Sequence, residues 1–142
     1  MNRFEILGAL AAIAIPLGVA GEASAHAAAT AESKAVSDVV DREVAAFNAH
    51  DAAAVANIHA ADAAIAVVPS GKALSRGKKQ NKAFFERVFL HTPKIHLTVD
   101  KQYVLNNVVI NHYAVTGGSN SELIGIYHVK NGAIANEWLI LG

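Results

Sequence analysis

Cysteine is absent from the 142 residues, which excludes disulfides, a thiol nucleophile and a thiolate metal site. Packing alone must hold the chain together. The chain also lacks an excess of either charge, with 12 basic and 12 acidic residues, so it has no electrostatic footprint for nucleic acid, and no such partner is expected. Long apolar runs are missing too. The longest, Ile6–Ala20, is interrupted by Pro16 and ended by Gly21-Glu22, too short to span a bilayer comfortably. Arg3 lies before it, and Ala23-Ser24-Ala25 or Ala25-His26-Ala27 lies after it, small residues suited to signal-peptidase cleavage. Residues 1–25 therefore read as a removable secretory signal, with an uncleaved anchor as the alternative. The Ala-rich 26–32 stretch reads as a short flexible leader. The expected mature protein is exported, periplasmic or secreted, and keeps no stable membrane span. Cleavage after Ala25 leaves 11 basic and 10 acidic residues.

What remains, 33–142, fits one domain, and 53% of the whole chain is hydrophobic, ample for a core. From Glu32 to Ala49, Val36, Val39, Val40, Val44 and Phe47 recur at helical spacing. Asp51 can cap a second helix over 52–61. Ile65–Val68 reads as a strand, Pro69–Lys72 as its turn and Ala73–Arg76 as the return strand. A third helix is expected from about Lys78 to Leu90, stopped before Pro93. Four long antiparallel strands fill residues 94–141, giving an α+β domain.

Two short turns set the phase of those strands. Asn131-Gly132 suits a two-residue hairpin with positive φ at both positions, pairing Lys130 with Ala133. Asn106-Asn107 similarly pairs Leu105 with Val108 and Lys101 with His112. If strict alternation holds throughout, Tyr103, His112, Tyr127, Asn136 and Trp138 share an inward face. Lys101 sits awkwardly on that face, and a β-bulge around 100–102 would turn it outward. The opposite face would carry Val104, Val109, Tyr113, Val115, Ile124, Ile126 and Leu139, too much apolar surface for water. A homodimer through the outer sheet face is the expected cover.

The order of A-F-N-A-H-D at 46–51, I-H-A-A-D-A-A-I-A-V-V-P-S-G at 58–71, L-S-R-G-K-K-Q-N-K-A-F-F at 74–85 and V-K-N-G-A-I-A-N-E-W at 129–138 resembles the nuclear transport factor 2-like superfamily. The likeness is to its SnoaL-like and ketosteroid-isomerase-like branch. It implies a cone: a strongly curved, mixed or antiparallel sheet wrapped around three N-terminal helices, its open end admitting a ligand. Carried over from the steroid isomerases, the base and the two oxyanion donors fall on or near Val67, Val44 and Gly125, none of which exchanges a proton. The resemblance thus implies the fold without that machinery.

Three functions fit these residues. The first is an exported cone binding a small apolar molecule, with Tyr103, His112, Tyr127 and Asn136 at its polar end and Trp138 as a wall. The second is an acid–base enzyme of isomerase, cyclase or dehydratase type in which His112 carries the proton. The third is a structural or interaction domain with a filled pocket. His96, His112 and His128 are evenly spaced in sequence, yet strand geometry keeps them apart, so no metal site and no cofactor is expected. His59 reads as packing beneath the first strand in preference to reaching the pocket, and Asp62 as a cap or turn residue.

Overall fold

The computed structural model describes residues 19–142, with side chains from residue 27 onward. The expected secretory signal lies outside the described residues except for the backbone of positions 19–25. The chain forms α1 (Val19–Asn48), α2 (Ala52–Ile58), β1 (His59–Val67), β2 (Lys72–Arg76), α3 (Gly77–His91), β3 (His96–Leu105), β4 (Val108–Thr116), β5 (Glu122–Lys130) and β6 (Ala133–Leu141). The 26–32 leader lies on α1, where the side chains of residues 27–32 are exposed. Among the described residues no helix is long and apolar enough to cross a membrane.

Helix ends follow local chemistry. His50 adopts φ 56° at the end of α1, and the Asp51 carboxylate then accepts the Ala54 amide at 2.9 Å to start α2, as an N-cap residue does. The second helix is shorter than expected, because His59 already belongs to β1. Asn81 anchors α3. Its amide donates to the Ala63 carbonyl at 3.2 Å and its oxygen accepts the Ser75 hydroxyl at 2.7 Å. These buried bonds tie the helix to the β1–β2 hairpin.

The six strands form one mixed sheet in the order β2-β1-β6-β5-β4-β3. Only the β1–β6 pair is parallel. The three helices lie against one face of it. Val40, Val44 and Phe47 from α1, Val55 from α2 and Phe85 from α3 meet Ile65, Leu97, Val109, Tyr113, Tyr127, Val129 and Leu139 from the sheet in one core. Each large aliphatic side chain so buried contributes about 1.5–3 kcal/mol. At the free edge, the Asn48 amide donates to the Leu97 carbonyl at 2.8 Å and its oxygen accepts the Leu97 amide at 2.9 Å. One side chain thus mimics a strand pairing and seats β3 on the end of α1. The expected cone is present.

Both turns pair their strands as expected: Leu105 faces Val108, and Lys130 faces Ala133. Asn131 and Gly132 take φ of 53° and 73°, values that asparagine and glycine accept at little steric cost. A bulge between Val99 and Lys101 is also present. The expected faces, however, are not. Past the hairpin, His128 pairs Asn136 while Val129 pairs Ile134, so Ala135 is an extra residue that inverts the rest of β6. In the β4–β5 loop a further shift of one residue pairs Val109 with Tyr127 and Asn111 with Gly125. Each slip exchanges the two faces of everything beyond it. The inward set becomes Val109, Asn111, Tyr113, Tyr127, Glu137 and Leu139, all buried. Val109, Tyr113 and Leu139 thereby leave the outer face expected for them, whereas Ile124 and Ile126 remain on it.

Candidate functional site

The space between sheet and helices is a cavity of ≈ 640 Å³, within the range of small-molecule sites. Its walls are apolar: Phe47 from α1, Phe85 and Val88 from α3, Leu97 from β3, Leu123 from β5 and Leu139 from β6. Its deepest lining residues include Glu43, Tyr127 and Glu137, each at most 3% exposed. A hydrophobic container therefore has ionisable groups at its floor.

The position of Glu43 follows from helix geometry. Val36, Val40, Glu43 and Phe47 are spaced by four, three and four, so a carboxyl group occupies the apolar stripe of α1. Its Oε2 has no hydrogen-bond partner. Burial, with the charge of Glu137 added, raises the Glu43 pKa well above the ordinary carboxyl range. An anion there would be desolvated beside another anion, so the protonated acid is favoured.

Glu137 is directed inward by the Ala135 bulge and held by His59. The imidazole Nδ1 lies 2.9 Å from the Val55 carbonyl oxygen, which can only accept, so Nδ1 carries a proton. Nε2 lies 3.0 Å from Glu137 Oε2, and one proton is shared across that contact. For His59, burial lowers the pKa, but the hydrogen bond it donates to Glu137 and the charge of that carboxylate outweigh it and the net shift is upward. The pair is a buried, hydrogen-bonded imidazole–carboxyl couple whose Glu137 lines the cavity.

A third element comes from β4 and β5. Asn111 Nδ2 donates to the Tyr113 hydroxyl at 2.7 Å, and the Tyr113 and Tyr127 hydroxyls lie 2.8 Å apart. Asn111 Oδ1 is unpartnered, and either hydroxyl can donate in the Tyr113–Tyr127 bond. When Tyr113 donates, the Tyr127 proton is free for a ligand. Burial, then the neighbouring phenol and carboxyl charges, raise the Tyr127 pKa; Tyr113 shifts the same way, by burial and then Glu43. Both phenols are neutral donors. Gly125 makes this possible, since a Cβ there would lie 2.5 Å from the Tyr127 hydroxyl oxygen.

The residues expected to meet at one site are separated. Tyr127 lines the cavity, as expected. Tyr103 is 62% exposed on β3, and His112 faces outward, its Nδ1 3.1 Å from Asp100 and its Nε2 3.8 Å from Glu122. Asn136 and Trp138 also lie on the outer face, displaced by the Ala135 bulge, with Asn136 in a shallow polar groove beside His128 and Arg76. His112 thus lies on the outer face, and the ionisable residues buried inside the cone are Glu43, Tyr113, Tyr127 and the Glu137–His59 pair. Asp62 is an exposed β1 residue. Periodicity could have revealed Glu43, whereas Glu137 and His59 had no such signal.

One atom each from Glu43, His59 and Glu137 lie within 4.8 Å of one another, a grouping from which a metal ion could be held. A proton shared between His59 and Glu137 and another on Glu43 would balance the charge of the same grouping without an ion, while leaving Glu43 Oε2 without a hydrogen-bond partner.

Among solved structures, the chain is similar to a SnoaL-like protein of unknown function from Burkholderia thailandensis, with TM-score 0.65 at 19% identity over 77% of this chain and 95% of that one. It is also similar to a protein from Sinorhizobium meliloti provisionally named a polyketide cyclase, with TM-score 0.63 at 18% identity over 72% and 93%. A Kribbella flavida protein provisionally named a ketosteroid isomerase gives TM-score 0.65 at 14% identity over 78% and 80%. At such identities the likeness is one of fold. No curated protein matches. The sequence profile of the SnoaL-like domain matches residues 40–137, most of the cone and all three ionisable residues at its floor, and the chain belongs to that family.

Proposed function

We propose that this protein binds a small, flat, largely apolar carbonyl compound in the cone and moves protons on it, in the manner of an isomerase, cyclase or dehydratase. The observation that carries this reading is the pair of buried carboxyl groups, Glu43 and Glu137, at the floor of an otherwise hydrophobic cavity. A filled structural core would have no use for them, because each buried ionisable group costs free energy unless its chemistry is needed.

The groups divide by protonation. Glu137, its charge balanced by His59, accepts the proton from a carbon next to the carbonyl, and the C–H electron pair becomes an enolate. Protonated Glu43 and the Tyr127 hydroxyl donate to the enolate oxygen. Return of the proton to a different carbon isomerises the compound, while attack of the enolate carbon on a second carbonyl closes a ring. Steroid isomerases likewise hold a carboxylic acid neutral as an oxyanion donor, although theirs is an aspartic acid on a different element.

The test is exchange of α-hydrogens with D2O, followed by proton NMR on a panel of flat ketones of two to four fused rings. The wild-type protein accelerates exchange for at least one of them, and Glu137→Gln loses about 10²-fold or more of that acceleration. Exchange no faster than in buffer across the panel, or unaffected by Glu137→Gln, defeats the proposal.

Two wider proposals accompany it. The outer face bearing Ile110, Ile124, Ile126, Trp138 and Ile140 supports a twofold homodimer, and light scattering that shows only monomer at micromolar concentration would remove it. Residues 1–25 support export to the periplasm or medium. Fractionation of producing cells that leaves only full-length protein in the cytoplasm would overturn that.

A further inference from the structure

The cavity changes character along its length. Its buried end bears Glu43 and Glu137, whereas its exposed end bears Arg87 and His91, on successive turns of α3, facing Asn120 of the β4–β5 loop. The acidic lining residues are confined to the floor. Arg87 makes no ion pair or hydrogen bond with another described residue, in contrast to Lys82 on the preceding turn, which pairs with Glu86 at 3.1 Å. A guanidinium at the lip of an apolar cleft has less water around it than one on an open surface, and it presents a fork of donors.

We infer that the ligand is an acid: an apolar body whose anionic group, a carboxylate or another oxyanion, is held at the mouth by Arg87 with His91 and Asn120 beside it. This deepens the proposed function and rests on it. The charge gradient then dictates orientation. An anion entering head-first would meet Glu137, and a neutral ligand would have no reason to prefer either direction. With the acid held at the mouth, the carbonyl end is delivered to the proton-transfer groups. The helix supplies a ruler, since Phe85, whose ring packs 6.0 Å from that of His59, and His91 are separated by about 9 Å of helix rise. A body of about two fused rings spans that distance.

Two fluorescent probes with the same aromatic body separate charge from cavity. These are 1-anilinonaphthalene-8-sulfonate, an anion, and N-phenyl-1-naphthylamine, its neutral counterpart. Titration at low salt is expected to show Arg87→Gln weakening the sulfonate about five- to tenfold while the amine binds as before, and Arg87→Glu weakening it further. Leu123→Trp, which fills the cavity wall, is expected to reduce binding of both. Equal changes for the two probes in Arg87→Gln overturn the inference and leave the cavity reading standing. Failure of either probe to bind, or binding of both undiminished by Leu123→Trp, overturns the cavity reading and the inference with it.

Discussion

Replacing Glu43 by glutamine should change not so much the stability of the protein as its dependence on pH. In the unfolded chain the Glu43 carboxyl ionises around its ordinary value, 4.5. In the folded protein, burial and the nearby Glu137 charge keep the proton on. Above that ordinary value, folding therefore requires proton uptake. The stabilisation is full at low pH and is lost as pH rises from the unfolded toward the folded pKa, at up to about 1.4 kcal/mol per pH unit. His59, whose pKa is also raised, acts in the same sense, its contribution complete below its unfolded value and lost as pH passes its folded one. Glutamine keeps the shape and cannot titrate. The wild type should thus lose ground to Glu43→Gln steadily above pH 5, with a residual slope in the variant from His59. Urea unfolding at pH 5, 6, 7 and 8, read as the transition midpoint at constant m-value, measures the difference. Parallel pH profiles for the two proteins would refute the claim that this carboxyl group is held neutral by its surroundings.

Other outcomes follow from the same geometry. Tyr127→Phe should lower proton-exchange turnover by about 10²-fold with little change in KM, since only the oxyanion donor is lost, as kinetics on the two proteins will show. His112→Ala should leave turnover within about twofold, because its ring faces the outer sheet surface; a loss as large as that of Glu137→Gln would place the chemistry outside the cone. Gly125→Ala forces a methyl against the Tyr127 ring and should cost about 1–3 kcal/mol in denaturant unfolding, with loss of turnover. If protons alone satisfy Glu43, His59 and Glu137, then equimolar Zn2+ at neutral pH should not raise the melting temperature, and a chelator should not abolish exchange.

The sequence made the fold readable where short-range chemistry decides it. Asn131-Gly132 sets the β5–β6 turn, Asp51 caps α2, and the Val36–Phe47 stripe orients α1. The site was less legible because it depends on parity carried over many residues. Ala135 carries no local mark of a bulge, yet the bulge moves Glu137 inside and Asn136 and Trp138 outside. The β4–β5 loop does the same to Tyr113 and His112. Both faces of these strands are apolar, Val108 and Ile110 on one side, Val109 and Val115 on the other, so hydrophobicity could not choose between them. Glu43 was the exception. A carboxyl group in register with Val40 and Phe47 could have been recognised as a polar residue on a buried stripe, although it is passed over among the charges of that helix, and it lines the cavity.

The protonation of that residue is best observed directly. Carboxyl 13C NMR of glutamate-labelled protein, with Glu43→Gln identifying the resonance, reports whether Glu43 is acid or carboxylate at pH 7. The proton-transfer account predicts the chemical shift of a protonated acid, unchanged between pH 5 and 7. A carboxylate shift at pH 7, or a titration midpoint in the ordinary glutamate range, would contradict it.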